Sequence, residues 1–292
     1  MQVNLMTDAS THNLALMKIS TYHKQLGDTV CVNGIGEKTY GSWLYDFTDK
    51  VFCDEEGGPA IDPVIRLPEH IEKLRPDYDL FPIEYSLGYT WEYCPRRCEF
   101  CKVHRMNPPK IHRSIWDFHD EKFKTICLLN NNTLSDPKWK ETFEEIWDAG
   151  LTLMEHGYDV RLMTEEKADA IRKTKYIGSR HYAWDLMSQE KEVMAGLKIA
   201  PSGLVYVLVG YNTTFEEDMY RCQMIHNAIT VNRHRPYIMI YDRDNKLLHD
   251  FKRFIGARIY WSYPTFQEAW DDYHSTTKYV TEKDLEDFKW KK

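Results

Sequence analysis

The chain has 292 residues, enough for one large α/β barrel or for one domain with a small appendage. Hydrophobic residues make up 42% and charged residues 28%, as in an ordinary soluble globular protein. The formal charge of −7 disfavours nucleic-acid binding, because nucleic-acid-binding proteins more often have a basic balance or a basic stripe. Short basic clusters occur at Arg96, Arg97 and Lys102 and at Arg233 and Arg235, but they are too short to change this expectation.

The sequence also predicts the cellular location of the protein. No apolar run approaches the ~20 residues that span a membrane, and residues 1–10 lack the pattern of a signal peptide. The seven cysteines are odd in number and three of them crowd into eight positions, which is unlike a disulfide framework. We therefore expect a cytoplasmic protein that uses thiolates as metal ligands and has no membrane partner.

Residues 1–80 are expected to form a small α/β appendage, too short for an independent domain with a large core. Its helices are predicted from apolar residues at helical spacing and its strands from short β-branched runs. The predicted elements are two helices and two strands, at Asn13–Gln25, Thr29–Val32, Lys50–Cys53 and Pro68–Leu74.

Residues 81–260 alternate short apolar runs with amphipathic helices, one of which begins at a capping box formed by Thr214 and Glu217. This alternation predicts a parallel sheet of six strands, best described as a partial (β/α)6 TIM-like barrel with ligands at the carboxyl ends of its strands. Residues 261–292 are expected to form a helical tail. The six predicted strands are Pro82–Tyr89, Thr125–Leu129, Leu151–His156, Ser179–Asp185, Leu204–Gly210 and Tyr237–Tyr241.

The strongest motif is a C-x3-C-x2-C sequence made by Cys94, Cys98 and Cys101, directly after the first of these strands. Three thiolates can hold three irons of a four-iron cube and leave the fourth iron open for a substrate. Zinc is the alternative, because His104 would complete a Cys3His site. The other four cysteines are scattered, and each is expected to be a small buried hydrophobic residue: Cys31, Cys53, Cys127 and Cys222.

This motif, with Phe100 just before the last cysteine, resembles the signature of the radical S-adenosylmethionine (radical SAM) superfamily. The resemblance covers residues 81–258 and implies a partial (β/α)6 barrel with a [4Fe–4S] cluster. It further implies that S-adenosylmethionine is cleaved reductively and that hydrogen is abstracted from a substrate, which the motif does not identify. A one-electron reductant such as flavodoxin or ferredoxin is the implied partner.

The resemblance also implies roles for residues at matching elements. Asn130, Asn131 and Asn132 take the place where the family holds the methionine amino group, although a Gly-Gly-Glu-like sequence is missing here; a polar turn is the alternative. Backbone around Leu208 and Gly210 corresponds to the adenine side, and Tyr241 is a similar candidate. The appendage is similar to a degenerate cobalamin-binding domain, but no D-x-H-x-x-G motif occurs and no cobalamin is expected.

Polar residues at predicted strand ends are the candidates for substrate contact. Glu155 and His156 end the third strand and Asp185 ends the fourth, so Glu155 and Asp185 are the candidate catalytic residues. Arg161 could bind a carboxylate. A buried ion pair between Asp159 and Arg161, or simple solvation of the strand ends, is the structural alternative.

Two other functions remain open from the sequence. One is an S-adenosylmethionine-dependent methyl- or methylthiotransferase acting on RNA or protein, although a methylthiotransferase would need a second cysteine group. The other is a non-catalytic protein that binds zinc or an iron–sulfur cluster. A small or zwitterionic substrate, or a single inserted residue or nucleotide, is favoured over a duplex.

Overall fold

In the part of the chain that the structure describes, every strand pair is parallel, and the strands form three sheets. The computed structural model describes residues 1–155, 157–227 and 234–277, and within these ranges it has ten strands and eight α-helices. The predicted α/β class with parallel strands is therefore confirmed. The chain divides into two compact units, Met1–His156 with Ala170–Gly178 and Gly157–Asp169 with Ser179–Lys292.

The first unit begins with a four-stranded sheet in the order β2-β1-β3-β4. Buried Val3 and Leu5 of β1 pack against Leu16 and Ile19 of α1, whose predicted start is confirmed because Asn13 caps it. The elements are β1 (Gln2–Thr7), α1 (Leu14–Gln25), β2 (Thr29–Val32), β3 (Lys38–Ser42), β4 (Glu55–Gly57) and α2 (Glu69–Glu72).

One predicted strand of this region is wrong, and three strands were not predicted. Residues 50–53 form no strand, and Val51 and Phe52 are exposed instead of pairing with a neighbour. Strands β3 and β4 are short and rich in polar residues or glycine, so they lack a clear apolar alternation. Strand β1 does alternate polar residues with Val3 and Leu5, a pattern that the prediction overlooked.

The second sheet of the same unit has the order β5-β6-β7, and its carboxyl edge positions the cysteine motif. Leu87 and Cys127 of this sheet pack with Met17 and Tyr78 in one buried cluster. Strand β5 is shorter than predicted, because only three residues pair with β6. The elements are β5 (Ser86–Gly88), β6 (Thr125–Leu128), α3 (Trp139–Asp148) and β7 (Thr152–Glu155).

The second unit contains a sheet in the order β10-β9-β8, with strands at three of the predicted positions. The predicted capping box is confirmed, since the Thr214 N–H donates to Glu217 Oε2 (2.8 Å) and the Glu217 N–H donates to Thr214 Oγ1 (3.3 Å). The remaining elements are α4 (Glu165–Lys173), β8 (Arg180–Trp184), α5 (Glu190–Ile199), β9 (Gly203–Val209), α6 (Phe215–Asn227), β10 (Arg235–Ile240), α7 (Lys246–Ala257) and α8 (Phe266–Thr277).

Some predictions fall on residues that the structure does not describe. His156 and Arg233 lie outside the described residues, as does the tail beyond residue 277. Across the described ranges, no helix is long and apolar enough to cross a membrane.

Candidate functional site

The three motif cysteines lie on an irregular loop that begins where β5 ends. Each of these three cysteines is partly buried. The N–H of Cys101 donates to the carbonyl of Cys98 (3.0 Å), so a tight turn holds these two cysteines together. At the start of the loop, a Cβ on Gly88 would lie 2.4 Å from the ring of Phe118. Only glycine therefore allows that ring to pack on the backbone where the cysteine loop leaves the sheet.

Three cysteine thiols on one loop are soft donors of the kind that bind zinc or the irons of an iron–sulfur cluster. Zinc holds thiolates at ~2.3 Å in a tetrahedron, which requires sulfur atoms about 3.8 Å apart around one point. Among the described residues, no three His, Cys, Asp or Glu side chains are grouped to hold one metal ion. His104 lies in a short 3-10 helix, and its buried Nδ1 has no hydrogen-bond partner among these residues. In an iron–sulfur cluster each thiolate binds a different iron, so the three cysteines could serve either kind of site.

Three consecutive asparagines after β6 hold the cysteine loop at successive points. Asn130 accepts hydrogen bonds from the backbone N–H groups of Thr90 (2.9 Å) and Trp91 (3.0 Å). Its amide nitrogen donates to the hydroxyls of Thr90 (2.8 Å) and Thr133 (3.0 Å). All four hydrogen-bonding positions of the Asn130 amide are thus used, three of them to attach the start of the loop to the end of β6.

The next two asparagines continue along the same loop. The Asn131 amide donates to the backbone carbonyl of Glu92 (2.6 Å), and the Asn132 amide lies 3.5 Å from the Cys94 sulfur. Of the three asparagines predicted to bind the methionine end of S-adenosylmethionine, Asn132 therefore contacts a motif cysteine.

A buried polar network crosses the carboxyl ends of β5, β6 and β7. Thr133, which accepts from Asn130, donates its hydroxyl hydrogen to Glu155 Oε2 (3.1 Å). Glu155 ends β7 and is only 8% exposed. Burial, together with the nearby charge of Glu155, raises the pKa of Cys127 to about 12, which keeps that thiol protonated. Glu155 thus lies at the strand ends as predicted, in the same network that fixes the cysteine loop.

In the second unit, Asp185 is a carboxyl group that titrates close to neutral pH. Burial raises the pKa of Asp185 to about 6. The charges of Arg161 and Arg221 oppose this rise, while Asp159 adds to it. The backbone N–H groups of Asp185 and Leu186 both donate to Gln189 Oε1 (3.3 Å), which fixes the turn after β8. A strongly shifted carboxyl at a strand end is a recognised mark of functional sites.

Asp159 and Arg161 form the ion pair that was the structural alternative at this position. Arg161 Nε donates to Asp159 Oδ1 (2.6 Å) and its NH2 group donates to Oδ2 (3.1 Å), in a two-pronged contact. Asp159 also accepts from the backbone N–H of Arg161. Arg161 therefore acts on Asp185 as a fixed charge.

Arg221 is a buried residue of this group whose contacts the sequence did not reveal. It is fully buried, and it donates to the backbone carbonyls of Trp184 (2.8 Å) and Leu208 (2.7 Å) as well as to the carboxylate of Asp218. It thereby ties the end of β8 to the end of β9. The available signal was an Asp-x-x-Arg spacing on the buried face of α6, next to Cys222.

The backbone predicted to approach adenine is engaged within the second unit. The carbonyl of Leu208 accepts from Arg221, and the N–H of Gly210 donates to Asp218 Oδ2 (3.2 Å). Gly210 has a φ of +74°, a left-handed conformation that favours glycine. Tyr241 is 52% exposed and meets Tyr211 edge to face at 4.7 Å between ring centroids.

The predicted residues thus fall into two groups, each assembled within its own unit. The first joins the cysteine loop, the asparagines and Glu155, while the second joins Asp185 with the charged groups at the ends of β8 and β9. Phe100 is a partly buried residue of the cysteine loop. In comparisons with known proteins, the chain matches no family model and no curated protein is significantly similar to it.

Proposed function

We propose that the protein is a radical SAM enzyme with a [4Fe–4S] cluster bound by Cys94, Cys98 and Cys101. The proposal includes the partial (β/α)6 TIM-like barrel, to which β5 to β10 would contribute the strands, and an N-terminal appendage of residues 1–80. One observation carries it: the C-x3-C-x2-C loop leaves the carboxyl end of a parallel strand, and Asn132 from the neighbouring strand end contacts Cys94.

In this proposal, different residues of the chain have separate roles. The three thiolates hold the cluster, and the asparagines keep their loop in place from the end of β6. The hydrogen-bonding groups of the Asn130 amide are already occupied. We therefore assign Asn132 to the amino group of S-adenosylmethionine, because the Asn132 carbonyl oxygen can accept a hydrogen bond from that group. Phe100, next to Cys101, would cover one side of the cluster. Tyr241 and the backbone near Leu208 and Gly210 would lie beside the adenine.

The reaction is divided between the cofactors and the protein. When bound by Cys94, Cys98 and Cys101, the cluster would supply the electron for reductive cleavage of S-adenosylmethionine, which would in turn supply the chemistry that abstracts hydrogen from the substrate. Asp185, whose pKa of about 6 lets it exist in either protonation state, is assigned to a substrate hydroxyl or amine. Glu155, buried beside the cysteine loop, is the second candidate for substrate contact.

Partners and location complete the proposal. A one-electron reductant such as flavodoxin or ferredoxin would supply the electron, and the substrate would be small or zwitterionic. The odd number of cysteines, seven, and the crowding of three of them into one motif suit the reducing cytoplasm better than a disulfide framework. A methylthiotransferase is less well supported, because the four cysteines outside the motif form no second group.

The test is the metal content of purified and reconstituted protein. Under anaerobic conditions, we expect about four iron and four sulfide per chain, and loss of most of the iron when Cys98 is changed to Ala. Cys31→Ala is the matched control, because Cys31 is also a partly buried cysteine but lies outside the motif. Stoichiometric zinc without iron, or equal iron in both variants, would contradict the proposal.

A further inference from the structure

The cysteine loop is strongly basic although the chain as a whole is acidic. Residues 94–113 contain six lysines and arginines and a single acidic residue, Glu99, within a chain whose formal charge is −7. So steep a local reversal of charge creates a field that attracts an acidic partner.

Several of these positive charges are exposed and available. Arg97 and Arg105 are exposed and form no ion pair with any residue in the described part of the chain. Lys110 is also exposed, and its ammonium group lies over the ring of Tyr93 at 4.5 Å. By contrast, Arg113 is neutralised by Glu92 (2.8 Å). The uncompensated charges are therefore on the stretch that carries and follows the cysteines.

An exposed aromatic pair is attached to the same loop. Lys102, the residue after the last motif cysteine, binds the carboxylate of Asp46 at 2.6 Å. On either side of Asp46, Tyr45 and Phe47 stack on each other with ring centroids 5.2 Å apart, and Phe47 is 76% exposed. Aromatic and arginine side chains are enriched in protein interfaces, and exposed aromatic pairs of this kind mark contact sites.

We propose that this surface, formed by Arg97, Arg105, Lys110 and the Tyr45–Phe47 pair, is the docking site for an acidic one-electron carrier protein. The inference rests on the proposed function. One electron leaves the carrier, which passes from hydroquinone to semiquinone in a flavodoxin, and enters the group held by the three thiolates. Docking on the cysteine loop itself keeps that transfer distance short. A polyanionic nucleic acid is the less favoured occupant, because the positive charge is confined to one short segment of an acidic chain.

The test compares a double charge reversal on this surface with one elsewhere. Arg105→Glu/Lys110→Glu is the variant, and Lys191→Glu/Lys198→Glu on α5 is the matched control, because all four side chains are exposed and the charge change is equal. Binding of an acidic flavodoxin is measured by calorimetry, and formation of 5′-deoxyadenosine is followed with either reduced flavodoxin or dithionite as the electron source.

We expect the variant to lose about tenfold in flavodoxin affinity and in the flavodoxin-driven rate, while its dithionite-driven rate stays within about twofold of the native rate. Raising the ionic strength from about 0.05 to about 0.3 M should weaken binding to the native protein but hardly affect the variant. Phe47→Ser should weaken binding without changing the charge. Equal flavodoxin binding by native protein and variant, or an equal loss with dithionite, would overturn the docking site. A native protein that binds flavodoxin but makes no 5′-deoxyadenosine with dithionite would instead refute the proposed function.

Discussion

Replacing Asp185 by Asn should make the protein more stable near neutral pH. The pKa of Asp185 is raised by burial from 3.8 to about 6, so the folded protein holds the proton more tightly than the unfolded chain. The stabilisation that comes from this proton is complete below pH 3.8 and is lost as the pH rises through about 6. The full loss corresponds to about 3 kcal/mol, since one pKa unit is worth ~1.4 kcal/mol.

The magnitude can be measured as a pH-dependent difference between native protein and Asp185→Asn. From the two pKa values, the linkage relation gives the unfolding free energy that the native protein loses through ionisation of Asp185. The loss is about 1 kcal/mol at pH 4.5 and about 3 kcal/mol at pH 7.5. Urea unfolding at these two pH values should therefore show the difference in unfolding free energy moving by about 2 kcal/mol in favour of the variant. Asp148→Asn, which removes an exposed charge at the end of α3, controls for the change in net charge.

A second variant checks the sign of the electrostatic contribution. The charge of Arg161 lowers the pKa of Asp185, so Arg161→Gln should raise that pKa further. The pH range in which stability is lost should then move upward, beyond pH 6. A free-energy difference between Asp185→Asn and native protein that does not change with pH would refute the burial of this carboxyl.

Three further substitutions test the contacts that build the site, each by urea unfolding. Arg221→Met should cost about 3–5 kcal/mol, because it leaves the buried Asp218 without its ion-pair partner; a loss below about 1 kcal/mol would show that the strand ends do not depend on this contact. Thr133→Val should cost about 1–3 kcal/mol by leaving its buried partners unsatisfied, and an unchanged stability would rule out the network. Gly88→Ala should cost roughly 1–3 kcal/mol through overlap with the Phe118 ring, unless that ring is free to move.

The sequence was most informative where structure follows from local periodicity. Strands β6 to β10 are where the apolar runs placed them, since buried parallel strands are short and rich in branched residues. Asn13 and the Thr214–Glu217 box begin helices as expected, because each cap satisfies backbone groups within its own turn. The cysteine motif was equally visible, because its spacing lies within eight residues.

The sequence was least informative about contacts between distant segments. The asparagines after β6 bind backbone groups about 40 residues away, and Arg221 binds the carbonyl of Trp184 37 residues away. Such side-chain-to-backbone hydrogen bonds recognise a carbonyl or an N–H that every residue carries, so they leave no complementary residue in the sequence. The raised pKa of Asp185 is hidden for a similar reason, because it depends on burial and on charges from two other elements.

Formation of 5′-deoxyadenosine tests the proposed function most directly. Reconstituted protein, reduced by dithionite and given S-adenosylmethionine, is analysed by chromatography with mass detection, alongside Cys98→Ala and the control Cys31→Ala. The native protein and the Cys31 variant should produce 5′-deoxyadenosine and methionine in equal amounts, and the Cys98 variant should produce neither. Native protein that carries four iron and four sulfide yet leaves S-adenosylmethionine intact, or cleavage that persists in Cys98→Ala, would contradict radical SAM chemistry.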